Sequence, residues 1–169
     1  MSRKKINRLR ERFKKGMAPS FEKINSSIET DSFLYNEDIE GSIAHAEMLA
    51  KQKIISPSES TKIIRGLKKI KSEIKSNKFI FSDELEDIHL NIETRLFELI
   101  GETAGKLHTA RSRNDQVVTD LKLWMKKDQI SILKKIKKVK SVLIQLAKKN
   151  VKTIIPGPVS YTHLTLPTK

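Results

Sequence analysis

The residues best suited to chemistry lie in one run, Thr109-Ala110-Arg111-Ser112-Arg113-Asn114-Asp115-Gln116. Ser112 stands where a helix N-cap belongs, ahead of apolar residues that recur at helical spacing from Val117. The first N–H groups of a helix have no partner inside it and its dipole is positive at that end, so such a terminus attracts anions. Arg111 or Arg113 beside it could grip a carboxylate through two parallel hydrogen bonds, and Asn114 could donate from its amide. The chemistry is recognition of a dicarboxylate or a phosphate. A well-capped helix with solvent-facing arginines accounts for the same spacing, and on spacing alone it is the commoner arrangement.

Three histidines lie within reach of that chemistry. His89, in Glu86-Asp87-Ile88-His89-Leu90-Asn91, is one position off an apolar face, as a site residue or as a partly buried histidine paired with Asp87. His45 is expected on the exposed side of its helix, and His108 precedes the polar run, where it could orient the loop. None has metal-ligand spacing with another histidine or carboxylate, so no metal is expected. Cysteine is absent, which removes disulfides, zinc-thiolate sites and thiol nucleophiles.

The elements that must position these residues read as helices. Residues 1–30 form a basic arm with Phe13, Met17, Phe21, Ile24 and Ile28 at spacings of three or four. From Ser32 to about Lys53, Tyr35, Ile39, Ser42, Ile43, Ala46, Leu49 and Ala50 trace one helical face. Ser56-Pro57-Ser58-Glu59 combines a cap, a proline suited to the first helical position and a glutamate able to close a capping box. That helix buries Ile63, Ile64, Leu67, Ile70 and Ile74 and stops at Ser76-Asn77. Ser82, with Asp83 and Glu84 after it, reads as the cap of a third helix carrying Leu85, Ile88, Ile92, Leu96 and Leu99 to Gly101. Gly101 and Gly105 bracket a loop. The last helix runs from Val117 without Pro or Gly until Pro156, so about 38 residues would span roughly 57 Å. Three short helices cannot bury its stripe, which requires neighbours outside this chain. No segment alternates with period two. The fold is all-α.

The 169 residues carry 34 Lys and Arg against 20 Asp and Glu, a net charge of +14. Eight of the basic residues fall in 1–15 and eleven lysines in 122–152. Such blocks could neutralise phosphates, which makes a basic helical nucleic-acid binder one reading. The lysines equally solvate the outer face of a long helix, and the six Phe, two Tyr and one Trp are not clustered with them as stacking platforms. No apolar run approaches a membrane span, and the basic N-terminus lacks the apolar centre of a secretory signal. A cytoplasmic setting is expected.

The run Leu107-His108-Thr109-Ala110-Arg111-Ser112-Arg113-Asn114-Asp115-Gln116-Val117-Val118-Thr119-Asp120 resembles a signature block of the argininosuccinate lyases. Phe21 to Ile28, Asp38 to Ala46 and Glu86 to Glu93 resemble the same family in the same order. The resemblance covers residues 12–157 and implies the fumarase/aspartase fold. In it, an N-terminal helical domain (1–111) precedes the first long helix of a central bundle (112–157). It further implies a homotetramer whose sites draw residues from three subunits, and cleavage of argininosuccinate to arginine and fumarate by β-elimination, without metal or organic cofactor. Carried over by position, Ser27, Asp87, Ser112, Arg113 and Asn114 would contact substrate. Thr162 would do so too, and His163 would assist catalysis.

The chain also departs from the family. Where it usually has Trp-Gly-Gly-Arg-Phe, Leu9-Arg10-Glu11-Arg12-Phe13 stands here. Pro158-Val159-Ser160 intervenes between Gly157 and Tyr161-Thr162-His163-Leu164, which would displace His163 by up to ~10 Å. Catalysis does not tolerate such a shift. Residues 158–169 thus read as an atypical tail, resembling a translated sequencing adapter. The expectation is an N-terminal fragment of the lyase, inactive alone. A non-catalytic short paralogue, structural or lending its Ser112-Arg113-Asn114 to a partner, is the alternative.

Overall fold

The computed structural model describes residues 24–154, which are helices and turns with no strand among them. Thr162, His163, the tail from 158 and most of the basic arm lie outside the described residues. Among the described residues, after the helical end at 24–25, the α-helices follow in the order α1 (Ile28–Asp31), α2 (Tyr35–Lys51), α3 (Pro57–Lys75), α4 (Ile88–Ile100) and α5 (Arg113–Lys149). Short 3₁₀ segments occupy Ser32–Leu34, Asp83–Leu85 and Gly101–His108. Two compact units result, one ending at Lys126 and one beginning at Lys127. No described helix is long and apolar enough to cross a membrane.

The first unit is organised by α2, α3 and α4. Ile39, Ala46 and Leu49 of α2 meet Ile63, Leu67 and Ile70 of α3 and Ile88, Ile92 and Leu96 of α4 in one buried cluster, with Ala104 and Leu107 beneath. The capping box at Ser56 forms as its residue types require. Ser56 Oγ accepts from the Glu59 N–H at 3.2 Å, and the Ser56 N–H donates to Glu59 Oε2 at 2.9 Å. α2 and α3 end alike, with Lys53 and Asn77 in the left-handed region and the next N–H reaching back five residues. Arg95 of α4 grips both Glu73 carboxylate oxygens of α3 at 2.9 Å, a bidentate tie on the half-buried rim.

Gly66 lets α3 approach α4. A methyl built on it would lie 2.5 Å from Leu96 Cδ1 and 3.4 Å from Ile100 Cγ2. Overpacking a fixed core costs about 1–3 kcal/mol, whereas Gly to Ala in a helix gains about 1 kcal/mol in propensity. Leu96 is fully buried in the core cluster, so its retreat would displace packed neighbours and the clash prevails. Gly66→Ala is expected to lower unfolding stability by about 1 kcal/mol in urea titrations; a gain would show that α4 yields.

Three sequence expectations shift. The third helix begins at Ile88, not Ser82, because the Asn91 side chain holds both the N–H and the C=O of Ser82, and Asp87 is the residue that caps. The stretch from Gly101 is 3₁₀ helix rather than loop, entered through Gly101 at φ +69°. The last helix closes at Lys149, short of Pro156, because Asn150 folds its amide back to the Leu146 carbonyl at 2.9 Å.

Candidate carboxylate-binding site

The N-terminus of α5 forms where the residue types require it. Ser112 Oγ accepts the Asn114 N–H at 3.3 Å, and the Ser112 carbonyl accepts from Gln116 at 3.2 Å. Ser112 and Asn114 are exposed. Both residues thus lie open to solvent at a helix end whose dipole favours anions. Ala110, at φ +54°, turns the chain so that Arg111 and Arg113 leave in different directions.

Arg113 is the outer arginine. Its guanidinium donates to Gln116 Oε1 at 3.0 Å and Glu93 Oε2 at 3.2 Å, and its Nε lies 3.7 Å from Asp87 Oδ2. Two carboxylates and an amide orient it while leaving further N–H groups available. Arg111 is the inner one. It donates to Ser42 Oγ at 2.8 Å, and burial holds it below its ordinary pKa against the opposing charges of Asp38 and Asp120. Of the two arginines considered from spacing, Arg113 belongs to the surface site and Arg111 to its foundation.

Asp87 and Ser27 join this site through backbone geometry. Glu86 sits at φ +67°, ψ −57°, with the Asp87 N–H donating to the Leu85 carbonyl at 2.7 Å. This is the strained γ-turn, rare for a residue with a side chain and costing about 1–3 kcal/mol. It is held by the Ser27 N–H, which donates to the Glu86 carbonyl at 2.8 Å, and by Asn25, whose amide reaches Glu86 Oε1 at 2.5 Å. Asp87 can then cap α4 through the Leu90 N–H at 2.6 Å while facing Arg113. The Ser27 hydroxyl donates to Asp31 Oδ2 at 2.7 Å, and the Ile88 N–H reaches the same oxygen at 3.3 Å. Burial and the neighbouring Asp87 charge push Asp31 above the usual carboxylate range against those two hydrogen bonds, and its Oδ1 is buried without a partner.

Ser27, Asp87, Ser112, Arg113 and Asn114 are therefore linked, directly or through one intermediate, within the first unit. Asp31, Glu93 and Gln116 join them; Gln116 closes the polar run read from the sequence, whereas spacing gave no reason to single out Asp31 or Glu93.

Behind the site the histidine assignment changes. His89 Nδ1 lies 3.0 Å from Asp38 Oδ1 and 3.6 Å from Asp120 Oδ2, so its partner is Asp38 of α2 and not Asp87. The i+2 spacing puts Asp87 in the cap and His89 inside the first turn of α4, facing α2. Gln116 also donates to Asp38 Oδ1. His45 is half-buried and pairs through Nε2 with the Thr109 carbonyl at 3.0 Å, rather than facing water. His108 is exposed, and its backbone carbonyl, not its ring, accepts from Arg111.

Asp38, His89 and Asp120 present ligand-type atoms within 4.8 Å of one another, a grouping invisible in spacing because the residues stand on three helices. The donor set does not suit a divalent ion. Asp38 Oδ1 is already engaged by His89 and Gln116, and Arg111 supplies the compensating positive charge.

An all-α chain whose long helix opens at such a polar junction has the architecture of the fumarase/aspartase superfamily. Residues 11–166 match the family described as Lyase, and the chain belongs to it. It is similar to argininosuccinate lyases of Pelagibacter ubique (50% identical over 153 residues, 90% of this chain and 32% of that protein) and Bartonella tribocorum (52% over 155, 92% and 33%). That of Staphylococcus aureus is 54% identical over 140 residues, 83% of this chain and 30% of the relative. The chain spans about a third of the length of these curated relatives.

Proposed function

We propose that this chain supplies the succinyl-binding part of an enzyme that cleaves argininosuccinate reversibly to arginine and fumarate. The observation that carries the reading is the junction at Arg113. A guanidinium braced by Asp87 and Glu93 stands beside exposed Ser112 and Asn114 at the N-terminus of α5. A substrate carboxylate there would accept from the α5 amides, the Asn114 side chain, the Ser112 hydroxyl and the remaining Arg113 N–H groups. β-Elimination takes a proton from the carbon next to a carboxylate, and charge builds on that group as the carbanion forms. Positive groups fixed there in advance favour the transition state over the ground state. Thr162 and His163 match the family's substrate-binding and catalytic residues by type only, three residues out of register, and the proposed role of this chain does not depend on them. The reading includes a homotetramer acting in the cytoplasm, with no nucleic acid, membrane or cofactor as partner; the exposed apolar face of α5 supports the assembly.

Backbone amide shifts of the whole chain, followed while succinate or argininosuccinate is added, test the binding half. Saturable movement at Ser112 to Asn114 is expected with either ligand, and none with arginine. Arg113→Ala is expected to weaken succinate binding by about tenfold or more, one charge-assisted contact being worth about 1.5–3 kcal/mol. Equal responses to succinate and chloride would refute the reading.

A further inference from the structure

The polar groups behind the site form a device of their own. Asp38 and Asp120 are 1% and 0% exposed, and both face His89 Nδ1. His89 gives its one Nδ1 hydrogen to Asp38 at 3.0 Å, and Gln116 donates to the same Asp38 oxygen. Neither oxygen of Asp120 has a hydrogen-bond partner. A buried carboxylate without a donor is costly, and two carboxylates at this separation repel. One proton removes both penalties, because a protonated Asp120 becomes a donor and Asp38 the acceptor beside it. Gly41 packs at this point, where an added methyl would lie 3.5 Å from Asp120 Oδ1 and 3.8 Å from the Arg111 guanidinium.

We propose that Asp38 and Asp120 share one proton in the folded protein, and that this proton makes the stability of the first unit depend on pH. Charged and titratable groups face the pair from each element packed against it. α2 contributes Asp38 itself. α4 contributes His89, with Asp87 and Glu93 beyond it. The segment before α5 contributes Arg111 and His108, and α5 contributes Arg113 and Asp120. Burial and the Asp38 charge, opposed by His89 and Arg111, push Asp120 up to about 7. Burial also acts against the charged form of Asp38, but hydrogen bonds from His89 and Gln116 outweigh it and hold Asp38 below the usual range. Burial lowers His89, and the Asp38 hydrogen bond and charge more than restore it, so it stays above its ordinary value. Asp38 already accepts two hydrogen bonds and Asp120 none, so the proton of the pair is placed on the Asp120 side.

The sign follows from linkage. Asp120 and His89 both titrate higher folded than unfolded, so each stabilises the fold at low pH and ceases to as pH rises through its folded value. Asp38 titrates lower folded, so its contribution holds above its unfolded value near 3.8 and is lost in acid. Stability is expected to peak at about pH 4 to 4.5, just above the unfolded carboxylate values, and to fall from there through neutrality as Asp120 and then His89 lose their protons.

The test is thermal unfolding of the whole chain at pH 5 and pH 8, for the wild type and for Asp120→Asn, which mimics the protonated group. The wild type is expected to melt several degrees lower at pH 8. The variant should lose most of that difference and melt above the wild type at pH 8. Parallel profiles would overturn the proposal. Carboxyl ¹³C titration of labelled wild type reads the same proton without a variant. One of the pair with a midpoint near neutrality is expected, and ordinary acidic midpoints for both would overturn it. A large rise in melting temperature on adding zinc or manganese would also overturn it, by showing a cation where the proton is placed.

Discussion

Replacing Asp38 by alanine is expected to lower the stability of the first unit by about 3 kcal/mol at pH 6, the lower end of the cost of breaking a buried pair. The side chain is the acceptor for both His89 and Gln116, and it balances part of the Arg111 charge. Removing it leaves two donors without an acceptor and the Arg111 charge less balanced, around a cavity that already measures about 20 Å³ in the wild type, room for a single water. One effect opposes the loss. Asp120 is relieved of its neighbour's charge and can ionise, and it lies 3.6 Å from His89. That relief keeps the cost at the lower end of the range and makes the two sites non-additive. Asp38→Ala should cost more in an Asp120→Asn background than alone, because the substitute carboxylate is then gone. Urea unfolding of the four proteins of this double-mutant cycle measures the coupling. A cost below about 1 kcal/mol for Asp38→Ala alone would mean that the cluster is not a structural centre.

That cluster also shows what the sequence could and could not disclose. Helices with local signals were legible: the Ser56 cap, the Ile63–Leu67–Ile70 stripe and the stop at Asn77 all depend on residues within one turn of each other. The start of α4 was not, since Ser82 and Asp87 both look like caps locally. The choice is made by Asn91, one turn into the helix, and by Asp31, 57 residues earlier. Asp38 stands four residues before Ser42 and eight before Ala46, in register with the buried face of α2, and an acid in that register is a signal of a buried partner. The partner's identity had to come from the fold.

The first turns of α5 invert the usual reading of an amphipathic pattern. Gln116 and Asp120 are buried, whereas Val117, Val118 and Leu121 remain 42–48% exposed. Periodicity reports that a face exists but not which neighbour takes it. Here the polar residues belong to the domain, and the apolar stripe is left for something else. The arrangement ties the two functions of α5 together: its polar side fixes Arg111 and Gln116 beneath the site, and Arg113 opens the same helix.

The chain is expected to associate in solution through that apolar stripe, with further copies of itself as the occupant. At 100° per residue, Val117, Leu121, Trp124, Ile132, Val139, Val142 and Leu146 fall along one line, flanked by Val118, Met125, Ile136 and Leu143. All of them are 36–62% exposed. A stripe this wide exceeds the narrow seam of a two-stranded coil and suits a helix with more than one neighbour, as in a bundle. Asp128 and Lys135 fall within the same stripe, one heptad apart. Enclosed among apolar neighbours, each would need an opposite charge, so they restrict the registers in which copies can pack. Sedimentation of the whole chain is expected to show a species larger than a monomer. Val139→Glu with Leu146→Glu, both remote from the Arg113 junction, should shift it to monomer. The fold of the first unit and its succinate response should survive that change, since neither residue belongs to that unit. An unchanged assembly in the double variant would show that association uses another surface. A monomeric wild type at all concentrations would remove the bundle from the proposed function while leaving the anion site to its own test.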